Sequence, residues 1–336
     1  MGGQPIPGGE GHRGALLPAR RRALGHPVTA IADRPVDRAR TLTSLRATVG
    51  AYVALTKPRI IELLLVTTLP AMLLAAGGWP DTGLVVATLV GGTLAAGAAN
   101  VFNCYVDRDI DQLMHRTENR PLPTGALTPR AALVFGIVLT VVSITLLAVT
   151  TTPLAAALAA AAIFYYAVLY TMVFKRRTRR STEFGGVPGA APVVIGWAAV
   201  TGSLAWPAIV FFGVVFCWQM PHFWALAMRF RADYARAEVP MLPVVSSARS
   251  VGRQTIAWTW ATVAVSLLLW PVADDYGIGW LYTVCAAGLG GWFIAEAHRL
   301  NGRIRRDAET RPMQLFHVSI YYMAALSLAI VLDVLI

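Results

Sequence analysis

Nine apolar runs, each close to the length of a bilayer core, occupy most of the chain beyond residue 59. They lie near 60–77, 84–106, 131–150, 153–173, 186–204, 205–225, 254–273, 277–297 and 315–336. A membrane-crossing helix needs roughly 17 to 25 apolar residues, so each run predicts one transmembrane helix. Pro153 is almost all that divides the third run from the fourth, and Pro207 helps divide the fifth from the sixth. The composition agrees. Of 336 residues, 56% are hydrophobic and only 14% charged, with a mean hydropathy of +0.56, which sets the chain apart from soluble domains. The expected fold class is an all-α integral membrane protein with nine transmembrane helices.

The charges between the runs predict an orientation. Lys57 and Arg59 precede the first helix, and arginines or lysines fill the connections after helices two, four, six and eight. The other connections carry only Asp81, Asp274 and Asp275. The positive-inside rule therefore places a multi-pass protein in the cell membrane, with the N-terminus and basic loops cytoplasmic and the C-terminus outside. The net charge of +11 reads mostly as this orientation signal, and basic residues dispersed over five loops disfavour a nucleic-acid partner. Aspartates occur among the basic residues after helices two and six, four helices apart. This spacing suggests a duplicated four-helix unit with a ninth helix added.

Residues 1–48 are rich in Gly, Pro and Arg and predict a disordered basic cytoplasmic tail ahead of a nine-helix domain over 49–336. No apolar segment of secretory-signal length follows the first arginines. Cys104, Cys217 and Cys285 are isolated from one another and read as small packing residues.

The connection after helix two begins "NCYVDRDIDQLMHRTENRP". Asn103, Asp107 and Asp111 recur every four residues, so on a helix they share one face, about 6 Å apart per turn, with Asp109 off that face. Hard oxygens beside Arg108, Arg116 and Arg120 suit a Mg²⁺ ion that keeps some waters and takes its remaining ligands from a diphosphate. The bland alternative is a solvated helix end with locally paired charges. After helix six, "CWQMPHFWALAMRFRADYARAEVPMLPVV" sets Gln219, His222 and Asp233 among aromatic residues. Asp233 either faces the first aspartates and completes the metal site or pairs with Arg229 or Arg236. After helix four, Tyr170, Lys175, Arg176 and Thr178 either bind diphosphate or only set topology. Glu62, an acid at membrane depth, either belongs to the site or snorkels towards Arg59. His222 and His317, near cytoplasmic helix ends, are each either structural or a metal ligand.

The spacing of Asn103, Asp107 and Asp111 resembles the first aspartate-rich motif of the UbiA superfamily of intramembrane prenyltransferases. Around it, "YTMVFKRRT", "GGVPGAAPVVIGW", "WQMPHFWALA", "DYARAEVPMLPVV" and "LFHVSIYYM" are similar to the haem-modifying branch, in order over roughly residues 50–336. The resemblance implies a UbiA-type bundle whose central cavity is capped by cytoplasmic loops. It implies a reaction in which farnesyl diphosphate, haem B and water give haem O and diphosphate with Mg²⁺ as cofactor, serving haem A formation for terminal oxidases. Its implied site comprises Asn103, Asp107, Asp111, Lys175 and Asp233, with Arg108, Arg116, Arg120, Tyr170, Arg176, Glu62, His222 and His317 on the substrates. Candidate partners are haem A synthase and oxidase-assembly proteins. Where the superfamily often carries a second DxxxD, this chain has His222 and Asp233 flanking aromatics. Two other readings compete: an ion-coupled transporter, and a prenyltransferase acting on an aromatic acid or quinone precursor.

Overall fold

The computed structural model describes residues 45–336, apart from the side chains of Leu45, Ile60, Glu62, Leu63 and Leu64. Of the expected tail, residues 45–48 are helical, and the remainder lies outside the described residues. The described chain forms α1 (Leu45–Thr56), α2 (Pro58–Ala76), α3 (Thr82–Val106), the single turn α4 (Arg108–Asp111) and α5 (Pro129–Thr150). Then come α6 (Pro153–Phe164), which runs on as a π-helix (Tyr165–Phe174), α7 (Ser181–Thr201) and α8 (Trp206–Arg229). Short α9 (Arg231–Arg236) and α10 (Leu242–Val245) lead to α11 (Ala248–Ala273), α12 (Trp280–Arg305) and α13 (Pro312–Leu335). There is no strand among the described residues.

Each of the nine apolar runs falls on one long helix, but only seven of these helices are long and apolar enough by themselves to cross a membrane. The expected nine spans are therefore not all confirmed. In α2 the described apolar stretch is only Leu65–Ala76. In α12 the apolar residues are diluted by Gly288, Gly290, Gly291 and Glu296, and the helix ends in Arg299, Arg303 and Arg305.

Local signals set the boundaries. Asp81, Thr128, Thr152 and Ser247 accept from the backbone N–H three residues on, which starts α3, α5, α6 and α11. Pro129 and Pro153 sit in the first turns of their helices, where a missing N–H costs nothing. Gly77 and Gly202 close α2 and α7 in the left-handed conformation that glycine adopts without strain.

The helices pack through small residues. A Cβ at Gly196 of α7 would lie 2.8 Å from the Thr68 carbonyl oxygen of α2, and one at Gly91 of α3 would lie 2.6 Å from Leu147 of α5. Helices in lipid gain little from burying apolar surface against one another, so close backbone approach of this kind is their main cohesion. One buried cluster joins Leu74, Trp197, Phe211, Tyr282, Phe293 and Tyr322 across α2, α7, α8, α12 and α13. Two apolar grooves open between helices. One of about 470 Å³ is lined by Tyr52, Thr56, Ile61, Gly97, Phe135 and Leu139, and one of about 360 Å³ by residues of α2, α3 and α13.

Candidate active site

The predicted register of the first aspartate loop recurs in the structure with a kink. Asp107 caps α3, its N–H donating to the Asn103 carbonyl at 2.9 Å, and the Asp111 N–H in turn donates to the Asp107 carbonyl at 2.8 Å. The side chains of Asn103, Asp107 and Asp111 are all buried. Charges buried this deeply require partners. Lys175 donates to Asp107 Oδ2, and so does Asn103 Nδ2 at 2.8 Å. Arg176 grips Asp109 with two bonds of 2.7 Å and stands 3.6 Å from Asp107 Oδ1. One guanidinium nitrogen of Arg120 reaches both Asp111 oxygens, at 2.9 and 2.7 Å. Despite these neighbours, Asp107 Oδ1 is buried without a hydrogen-bond partner.

The π-helix positions Lys175. In it the Lys175 N–H donates five residues back to the Tyr170 carbonyl, 2.8 Å away, and Thr171 Oγ1 donates to the Tyr166 carbonyl at 2.7 Å. The wider winding aims both Thr171 and Lys175 at α3, where Asn103 Nδ2 donates to Thr171 Oγ1 at 3.2 Å. Tyr170 stacks on Tyr166 and packs over Gly185, where a Cβ would come within 2.7 Å of its ring.

A second lysine completes the cluster. Lys57, at the left-handed break between α1 and α2, donates to Asn103 Oδ1 at 2.6 Å. Burial, reinforced by Arg120 and Lys175, lowers its ammonium to about 8. Asp109 behaves oppositely: the hydrogen bonds from Arg176 bring its carboxyl down to about 2.

Other expected site residues lie elsewhere. Arg108 is exposed and turns back to the Tyr105 carbonyl and ring. Arg116 is exposed, and its guanidinium bonds Tyr234 and lies over the Phe230 ring. Asp233 accepts from the Arg116 N–H of the first loop at 3.4 Å, and its ion pair is with Arg236 at 2.5 Å. No group of three His, Cys, Asp or Glu that could hold a metal occurs among the described residues, so Asp233 and the first aspartates are not gathered into one metal cage. Glu62 lies outside the described side chains.

His222 and His317 are separated in kind. His222 is buried between the rings of Trp218, 4.4 Å away, and Phe316, 4.5 Å away, both nearly parallel to it. Its Nδ1 lies 2.8 Å from Ser319 Oγ. His317 is exposed and touches only the edge of Phe316. The cysteines are free, with Cys104 and Cys217 buried.

Sequence reasoning missed three contributors. Lys57 reads as an orientation charge until the fold shows its reach, and only its place before Pro58 in "TKPRI" hinted at more. Thr171 and Ser319 are ordinary helix residues with no local signal.

The chain belongs to the UbiA prenyltransferase family, whose model matches residues 64–320, and within that family to the protohaem IX farnesyltransferases. The protohaem IX farnesyltransferase of Salinispora tropica is 55% identical, covering 93% of this chain and 96% of that one. Those of Clavibacter michiganensis and a Nocardioides species are 53% and 50% identical, covering 84% and 92% of this chain and 92% and 98% of their own lengths. A solved structure of digeranylgeranylglyceryl phosphate synthase aligns with a TM-score of 0.70 at 16% identity, covering 85% of this chain and 98% of that one. A UbiA homologue from Archaeoglobus fulgidus, bound to GPP and Mg²⁺, aligns at 0.56 with 16% identity, covering 84% and 99%. At those identities the two structures share the fold.

Proposed function

We propose that the chain transfers the farnesyl group of farnesyl diphosphate to a vinyl group of haem B, with addition of water, giving haem O and diphosphate. The observation that carries the diphosphate half is Asp107 Oδ1, buried without a hydrogen-bond partner and set among Lys57, Lys175 and Arg176. A carboxylate oxygen so placed suits a cation, and the hard-oxygen set of Asn103, Asp107 and Asp111 fits Mg²⁺. The UbiA homologue solved with GPP and Mg²⁺ makes that ion the natural choice. When bound, Mg²⁺ supplies neutralising charge to the leaving diphosphate.

The protein's own groups carry the rest. Lys57, Lys175, Arg176 and Arg120 outnumber the carboxylates of Asp107, Asp109 and Asp111, so a diphosphate entering here meets net positive charge. As the allylic carbon–oxygen bond breaks, the ammonium groups hold the electron pair that departs with diphosphate. The groove beside Thr56, one residue from Lys57, offers an apolar bed for the farnesyl chain, and its volume lies within the roughly 300–1,000 Å³ of small-molecule sites. The haem half rests on the relatives' activity and on His222, a buried imidazole in an aromatic slot, as the group that meets the iron. The vinyl carbons then attack the allylic carbon, and water closes the haem-side cation as a hydroxyl with loss of a proton.

The bilayer orientation fits this scheme. With the basic loops cytoplasmic by the positive-inside rule, Trp79, Trp206 and Trp280, exposed at the helix ends opposite the acid cluster, lie at the outer interface.

The test is Asp107→Asn in purified membranes. Loss of one electrostatic contributor of this kind costs about 10²–10³-fold in rate, so haem O formation should fall by at least ~100-fold while haem is still retained. Near-normal turnover at saturating Mg²⁺ would contradict the assignment.

A further inference from the structure

We infer that Ser319 is a positioning residue that fixes the tautomer of His222, holding the proton on Nδ1 and leaving the lone pair on Nε2. The inference rests on His222 meeting the haem iron and specifies how it is prepared to do so.

A serine hydroxyl has one hydrogen to donate and two lone pairs with which to accept. Ser319 Oγ lies 2.6 Å from the Phe316 carbonyl oxygen, one turn back on α13. A carbonyl cannot donate, so the single Ser319 hydrogen occupies that bond. If the hydroxyl turned instead towards the imidazole, two bare oxygens would face each other across 2.6 Å in a buried site. The contact of 2.8 Å between His222 Nδ1 and Ser319 Oγ therefore needs its proton from the ring: Nδ1–H donates and Oγ accepts. A neutral imidazole carries one N–H, so Nε2 is the bare acceptor.

The surroundings prevent the ring from escaping this assignment. Trp218 and Phe316 lie against its two faces with interplanar angles of 23° and 24°. Trp218 is itself tied to the Ser319 carbonyl through Nε1 at 2.6 Å. One turn of α13 thus supplies the stacking ring, the acceptor for Nδ1 and the anchor of the opposite ring. A neutral nitrogen held by a hydrogen bond on its far side is how proteins orient an imidazole towards a metal. The ligand class is a metalloporphyrin with an open axial position.

The test uses the full chain in lipid nanodiscs with ¹⁵N-labelled histidine, first without haem. The wild-type His222 resonances should show a protonated Nδ1 and a bare Nε2. In Ser319→Ala the tautomer preference should be lost, while the Trp218 bond to the main-chain carbonyl persists; Ser319→Thr, which keeps the hydroxyl, should restore it. A proton on Nε2 in the wild type, or an unchanged Nδ1–H in Ser319→Ala, would overturn the inference. Haem titration read by absorption follows. Loss of such an outer hydrogen bond costs about 10- to 100-fold in metal affinity, so Ser319→Ala should weaken haem binding by that factor and Ser319→Thr by far less. If the tautomer is as stated but His222→Ala leaves the haem spectrum unchanged, the haem reading fails and the tautomer assignment survives.

Discussion

Two aspartates two residues apart show how strongly position decides a role. Asp107 is fully buried with one oxygen that lacks a hydrogen bond, whereas the side chain of Asp109 is 60% exposed and satisfied by Arg176. The Asp109 carboxyl, lowered from 3.8 to about 2, gives its contribution to stability above pH 4 and loses it as the pH falls through 2. That contribution is small, since water screens so exposed a pair. Asp109→Asn should therefore leave turnover within about tenfold of wild type and flatten only the acid edge of the stability curve, as thermal unfolding across pH would show. Lys57→Ala is the harsher change. A hydrogen bond involving a charged group is worth roughly 1.5–3 kcal/mol, so turnover should drop about 10- to 100-fold, recorded as haem O per unit of protein. Unaltered turnover would remove Lys57 from the site.

Among the elements, the π-helix and the α2–α7 contact carry separate predictions. Deleting Val168 would let the Tyr165–Phe174 segment close into an α-helix and swing everything after it by about 100°. Lys175 would leave Asp107, and turnover should fall as far as in Lys175→Ala while the protein still inserts into membranes. Full activity in the deletion would show that the π winding does not position Lys175. Gly196→Ala tests packing alone. Its methyl would meet the Thr68 carbonyl oxygen at 2.8 Å, backbone that cannot move aside, and overpacking of this kind costs about 1–3 kcal/mol. Thermal unfolding should register the loss, with the chemistry per folded molecule intact. The sequence marked all nine long helices, because membrane length and proline boundaries are written in composition. It could not mark the π-helix, whose "YYAVLYTMVF" is as apolar as any α-helical span. Nor did it mark α1, which is shorter than a membrane crossing.

At the scale of the whole molecule, the site is assembled from segments far apart in sequence. Lys57, Asn103, Asp107 and Lys175 meet although Lys57 and Lys175 are 118 residues apart in the sequence (175 − 57). The register of Asn103, Asp107 and Asp111 was legible because a spacing of four residues is a local property of one helix. The pairing of Asp233 with Arg236 was legible only as one of two alternatives, since short-range charges always offer a local partner. The contrast between buried His222 and exposed His317 was not legible, because burial depends on which face of α8 and α13 the bundle encloses. The haem acceptor likewise came from resemblance and relatives rather than from any spacing. The most direct measurement is therefore of the product. Membranes holding the protein are incubated with haem B, farnesyl diphosphate and Mg²⁺, a quinone-precursor acid is added as competing acceptor, and the products are weighed by mass spectrometry. The expected product is haem O, dependent on Mg²⁺ and lost in Asp107→Asn; a farnesylated acid with haem B unchanged would contradict the haem acceptor.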